Sequence, residues 1–414
     1  MLTELFPRKS TRYSALPLLG PIADDFDTWL SEQGYRRGTR RQQACALVRI
    51  DRDLRRQGHR QWQSVRSANL EACWSRYRRR DPDTAGTVRG LLRFAQERSL
   101  LPPTPVAITR VTALANTYEA ALEDLRGLAP GTIRQHGTTA AQFLAHLDYQ
   151  IAPERLAGVT ASDVEAFVRE TGKRLSRASL QHTVAQLRGF LRFLAFHRLV
   201  RPDLDRQIDT PRVYRQEHLP RSLPWPTVRR LLQSIDRGTG QGLRDYTMLF
   251  LIATYGLRAC EVVALTLDAV DWRGRRLHVP QRKTGTPLVL PLTDAVGTVL
   301  LRYLRRARPA SPHRQLFLRE RAPAGVLKPT AVTEVFQKWV RRSGLPIPFQ
   351  GPHCLRHSYA VALLRRGVSL KTLGDLLGHR TAESTCAYLR LATDDLREVA
   401  LAVPRSAGST RGRR

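Results

Sequence analysis

Lysine is the scarcest charged residue in this chain of 414 residues: only six of its 68 cationic side chains are lysine, at positions 9, 173, 283, 328, 338 and 371. Any step that needs a tunable ammonium as a proton donor therefore has few candidates, because arginine holds its proton too tightly. Cysteine is also sparse. Cys45, Cys73, Cys260, Cys354 and Cys386 are scattered, with no C-x-x-C pair, which excludes a zinc ribbon and a disulfide framework and leaves five small hydrophobes. There is no apolar run of about 18 residues and no signal-peptide pattern near Met1, so a membrane span is not expected and the predicted location is the cytoplasm. Acidic residues are few as well, 36 against 68 Lys and Arg, giving a formal net charge of +32. That excess goes far beyond what solubility needs and points to a polyanionic partner, double-stranded DNA first.

Hydrophobic residues make up 42% of the chain, enough for real cores, and the length calls for two or three domains. The predicted fold is mainly α with a small antiparallel β-sheet. The first two hundred residues carry apolar positions at helical spacing and no alternating stretch of strand length. Thr87-Val-Arg-Gly-Leu-Leu-Arg-Phe94 is echoed by Gln186-Leu-Arg-Gly-Phe-Leu-Arg-Phe193, and Gly38-Thr-Arg-Arg-Gln42 by Gly131-Thr-Ile-Arg-Gln135. The two offsets differ by six residues, so the repeat is weak, and two arginine-rich amphipathic helices also resemble one another by chance. Read as a repeat, it predicts two helical bundles in tandem. The predicted division is an additional helical, DNA-binding-like domain over 1–105, a second bundle over 110–203, a basic proline-rich linker over 204–220, a mixed domain over 221–403 and a disordered basic tail over 404–414. In the mixed domain, Pro226 opens a helix that runs through Ile235. A second helix, from about Leu243, ends at Tyr255-Gly256, and strands at 277–280 and 288–292 flank a turn containing Gly285. Helices are expected from Thr293 to the end, broken at Pro309, Pro323 and Pro346 to Pro348.

Breaking and resealing a phosphodiester needs a nucleophile, cations on the non-bridging oxygens and a proton for the leaving oxygen. Arginine suits the second task through its bidentate fork, whereas lysine and histidine suit the third. Gly351-Pro-His353-Cys-Leu-Arg356-His357 opens a helix, with His353 and Arg356 one turn apart on one side. Alone, that pair also fits a solvated helix face. Further on stands Leu376-Leu-Gly378-His379, with Tyr388 nine residues after the histidine; upstream are Tyr255-Gly-Leu-Arg258-Ala-Cys-Glu261 and Gln281-Arg-Lys283-Thr-Gly285.

These four segments, in this order, resemble the catalytic domain of the tyrosine recombinases, the family of phage integrases and chromosome-dimer-resolving recombinases. The resemblance covers about residues 220–400, and the second bundle is similar to that family's core-binding domain. It implies catalytic roles for Arg258, Lys283, His353, Arg356, His379 and the nucleophile Tyr388, with Glu261 and His357 in support. It further implies that Tyr388 attacks the scissile phosphate to give a 3'-phosphotyrosyl bond, without ATP or metal. The expected partners are double-stranded DNA and three further subunits, of this chain or of a sister recombinase. The capped apolar stretch from Thr393 to Val403 fits either docking into a neighbouring subunit or folding back on its own domain. Such enzymes serve integration, excision, transposition and dimer resolution alike. A type IB topoisomerase uses similar residues, and a DNA-binding protein without catalysis accounts for the charge alone.

Overall fold

The structure, a computed structural model, describes residues 1–101, 108–212, 219–280, 287–379 and 381–391. The chain divides into two compact units, 103–218 in one and 1–102 with 219–414 in the other.

The first hundred residues form α1 (Leu2–Leu5), α2 (Thr11–Ser14), α3 (Gly20–Glu32), α4 (Arg37–Arg56), α5 (Ser67–Tyr77) and α6 (Pro82–Glu97). Their apolar faces meet in a core of their own around Phe26, Trp29, Leu47, Leu70 and Phe94. Local signals set the helix starts. Asp81 caps α6 by accepting from Thr84 N–H at 3.1 Å, with Pro82 in the first turn. One contact from the α3–α4 turn reaches residues beyond 219: Ala324 N–H donates to Gln33 O at 2.8 Å.

The unit spanning 103–218 holds α7 (Arg110–Arg126), α8 (Pro130–His146), α9 (Ala161–Gly172) and α10 (Arg177–Phe196) around Tyr118, Phe143, Leu187 and Phe190. Leu204 and Ile208 are buried in this core as well, and Arg188 holds the carbonyls of Asp205 and Ile208. The start of the proline-rich stretch thus packs onto the bundle before the chain leaves it.

Beyond residue 219 come α11 (Trp225–Gln233), α12 (Gly240–Tyr255), α13 (Ala259–Ala264), β1 (Val270–Asp271), β2 (Arg276–Val279) and β3 (Leu288–Pro291). They are followed by α14 (Asp294–Arg306), α15 (Pro329–Ser343), α16 (His353–Leu364), α17 (Leu370–Leu377) and α18 (Ala382–Cys386). α12 is buried on nearly all sides and packs against α14, α15 and α16. It carries a buried ion cluster: Asp245 accepts from Arg244 (2.8 Å), from Trp339 Nε1 (3.0 Å) and from Lys338, so its charge is compensated and α15 is fixed to α12. The sheet has the order β1-β2-β3, antiparallel throughout, with Leu277 opposite Leu290 and Val279 opposite Leu288.

Both predicted strands are present; β1 was not expected, because two residues carry no alternation to read. One expectation is corrected. The helices from Thr293 break near the expected prolines, but none lies between Pro309 and Pro323: α14 ends at Arg306, and 307–328 holds no helix. Leu316, Phe317 and Leu318 are buried between isolated bridges, Thr266 to Gln315 and Leu318 to Val326. Pro309, Pro312 and Pro323 withhold the amides a helix needs there. The Lys283 turn and the expected helix from Thr393 to Val403 lie outside the described residues. Among the described residues no helix is long and apolar enough to cross a membrane.

Candidate active site

Two helix ends frame the site. α12 terminates in Gly256 (φ +67°) and α17 in Gly378 (φ +59°), both left-handed caps that glycine adopts without strain. The last carbonyls of each helix lack intrahelical donors and carry the partial negative end of the helix dipole. Arg356, on the first turn and a half of α16 and 2% exposed, spans the two ends. Its Nη1 donates to Gly256 O at 2.5 Å and its Nη2 to Leu377 O at 2.6 Å. Burial and the neighbouring Arg258 lower its pKa to about 10, which still leaves it cationic at neutral pH.

Arg258 approaches the same place from the start of α13. Its Nη2 donates to Gly378 O at 3.4 Å and its Nη1 to Glu261 Oε1 at 2.6 Å. The other oxygen of Glu261 accepts the Arg258 backbone N–H at 2.7 Å, which caps α13. The buried carboxylate therefore fixes both the main chain and the side chain of Arg258. It balances one of two guanidinium charges, so the site keeps a net positive charge suited to an anion.

Three histidines and Tyr388 complete the cluster. His353 and His357, one turn apart on α16, meet edge to face with ring centroids 4.4 Å apart. His357 Nδ1 lies 2.9 Å from the Tyr388 hydroxyl. His379 lies parallel to the Tyr388 ring at 6.3 Å, and its Nδ1 is 2.9 Å from Thr385 Oγ1, which sets the ring's orientation. Burial first, then adjacent cations, pull the pKa of His357 down to about 3 and that of His379 to about 4, so both are neutral near pH 7. Burial raises the Tyr388 phenol, while Arg356 and Arg258 draw it back toward ionisation.

Arg258, Glu261, His353, Arg356, His357, His379 and Tyr388, far apart in the chain, thus meet in one place. Thr385 was not singled out in the sequence, although it stands three residues before Tyr388. The carbonyls under Arg356 were not legible either, and the two helix-ending glycines are their only signal. Among the described residues no group of three or more His, Cys, Asp or Glu side chains is placed to hold a metal ion.

Residues 222–394 match the phage integrase family and residues 115–197 the phage integrase N-terminal SAM-like domain. Over 401 residues the chain is 31% identical to "Putative integrase/recombinase y4rA" of Sinorhizobium fredii, covering 94% of this chain and 96% of that protein. The chain belongs to the tyrosine recombinase family. It is also 30% identical over 284 residues to tyrosine recombinase XerD of Listeria monocytogenes, covering 66% of this chain and 92% of the relative. A lambda integrase tetramer bound to a Holliday junction shares the fold, with a TM-score of 0.52 and 17% identity over 74% of this chain and 87% of that one. Membership makes the chain a site-specific DNA recombinase, an enzyme that cleaves and rejoins DNA by transesterification, rather than a topoisomerase or an inert DNA-binding protein.

Proposed function

We propose that Tyr388 is the nucleophile of strand exchange. Its oxygen forms a bond to the scissile phosphorus, the bond from phosphorus to the 5'-oxygen breaks, and a 3'-phosphotyrosyl link holds the DNA end. The tyrosine proton passes to the imidazole pair His357 and His353. Arg258 and Arg356 hold the non-bridging oxygens, His379 adds a hydrogen bond, and Lys283 protonates the departing 5'-oxygen. Glu261 positions Arg258. The observation that carries this reading is the pair of guanidiniums fixed on two helix ends beside the tyrosine, because preorganised cations stabilise charge that develops on phosphate without reorganising.

In this reading a bundle over 110–203 and a catalytic domain over 221–403, joined by the 204–220 stretch whose start packs on the bundle, grip one duplex in the cytoplasm. Residues 1–105 form an additional bundle and 404–414 a basic tail. Four subunits, of this chain or with a sister recombinase, assemble on DNA to exchange strands. The test is to express wild type and Tyr388→Phe in cells and recover protein-linked DNA after denaturation. Wild type yields linked DNA at a defined sequence and the variant yields none; equal yields from both would remove Tyr388 from the reaction.

A further inference from the structure

The first bundle is built on the same plan as the second. α3, α4, α5 and α6 correspond in order to α7, α8, α9 and α10, with a short 3-10 turn before the third helix in each, at Trp62–Ser64 and Pro153–Leu156. Buried positions keep register: Ala44, Leu47, Ile50 and Leu54 stand where α8 has Gly137, Ala140, Phe143 and Leu147. The third helix of each opens with a side chain that accepts the backbone amide three residues before it, Asn69 from Arg66 at 2.8 Å and Asp163 from Thr160 at 2.9 Å. Gly90 faces Gln43 and Phe26, as Gly189 faces His136 and Tyr118. After the fourth helix, Ser99 (φ +53°) and Arg198 (φ +57°) make the same left-handed turn.

Two bundles on one plan give a built-in control for surface charge. Where the fold dictates a residue the two agree; where they differ, something else has chosen it. Residues 1–102 hold 20 Lys and Arg against 11 Asp and Glu, and residues 103–218 hold 15 against 12, so of the two bundles the first carries the larger excess. The difference is concentrated where α4 ends beside α5. Exposed Arg52, Arg55 and Arg56 line one face of α4; at the matching places the second bundle has Ala145 on α8 and Asp148 and Tyr149 just past its end. On the second bundle this edge is internally paired, Asp148 with Arg155 and Glu170 with His146. On the first, exposed Arg76 at the Glu170 position pairs with buried Asp53 and fastens α5 to α4. Among the described residues Arg52, Arg55 and Arg56 have no carboxylate within ion-pair distance, and the exposed run Arg78 to Arg80 continues the same edge from the end of α5.

We propose that this arginine edge is a further DNA-binding surface, one that holds duplex phosphates outside the segment bound around Tyr388. Clustered guanidiniums without acid partners repel one another, and the fold does not require them, since the sister bundle does without. A duplex backbone relieves that repulsion and releases its own counterions on binding. The surface would lengthen the footprint of the enzyme without reading sequence, because phosphate contacts position a protein rather than specify bases.

The inference rests on the recombinase reading, and one experiment separates them. Full-length wild type and an Arg52→Gln, Arg55→Gln, Arg56→Gln variant are titrated with two duplexes carrying the cleavage site recovered from cells. One duplex is trimmed close to the site and the other is extended by about three helical turns, roughly 30 base pairs, on each side. The variant should bind the long duplex about tenfold or more weakly, with a salt slope reduced by roughly 0.9 for each phosphate that is no longer neutralised. It should bind the short duplex, and form the covalent adduct on it, as wild type does. An unchanged variant, or equal weakening on both duplexes, overturns the proposal while wild-type adduct leaves the recombinase reading standing. No adduct from wild type on either duplex fails that reading and this inference with it.

Discussion

The hydroxyl of Tyr388 and Nδ1 of His357 lie 2.9 Å apart, on an imidazole whose pKa burial and neighbouring cations pull down to about 3. A neutral ring can take the phenol's hydrogen bond, but with so low a pKa it becomes an effective base only once the phosphate's negative charge offsets the neighbouring cations. Replacing His357 with Leu should slow adduct formation by about 10²-fold, in the range of lost general-base catalysis. Single-turnover kinetics on a nicked duplex checks this, and wild-type rates would show that the contact is structural only.

Arg356 bridges Gly256 O and Leu377 O with two nitrogens of one planar fork. Lysine keeps the charge but cannot span both carbonyls. Arg356→Lys is therefore expected to lower the cleavage rate by on the order of 10²- to 10³-fold, the cost of losing one preorganised donor to developing charge. Rate measurements at saturating DNA would isolate this effect from binding.

Glu261 is 2% exposed and holds Arg258 by both main chain and side chain. Glu261→Gln removes the charge but keeps the shape, leaving a partly buried guanidinium without its partner. A loss of about 3 kcal/mol in urea unfolding is expected, together with slower cleavage.

His357 and His379 have folded pKa values below the ordinary histidine value. The unfolded chain therefore binds protons first as pH falls. Their contribution to stability is complete above about pH 6.5, the ordinary histidine pKa, and is lost progressively down toward pH 4 and 3. Urea midpoints of wild type should drop over that window more steeply than those of a His357→Gln, His379→Gln variant.

Gly256 sits at φ +67°, and a Cβ there would meet Tyr359 Cδ1 at 2.7 Å and Leu377 Cδ2 at 2.8 Å. Gly256→Ala should cost more than about 1 kcal/mol of stability and displace the carbonyl under Arg356, so that thermal melting and cleavage rate fall together.

Much of this site could be read from the residues because its chemistry is tied to short-range spacing. Arg258 with Glu261, His353 with Arg356, and Gly378 with His379 are each defined within one helical turn or cap. What joins those pieces is long-range: Arg356 reaches Gly256, a hundred positions upstream, through a backbone carbonyl, and carbonyls leave no mark in a sequence. The same holds for 307–328, where buried Leu316 to Leu318 look like helix residues until their bridges to Thr266 and Val326 are seen. The tandem bundles were faint for the opposite reason. Their cores agree position by position, but Ile50 answers to Phe143 and Cys73 to Phe167, so the burial pattern survives while the letters do not.

Whether Tyr388 carries the DNA is read most directly by digesting the trapped wild-type complex with a protease and locating the nucleotide-bearing peptide by mass spectrometry. A phosphotyrosyl link is expected on the peptide containing Tyr388 and on no other. A link at Ser384, at another tyrosine, or at no residue would contradict that role.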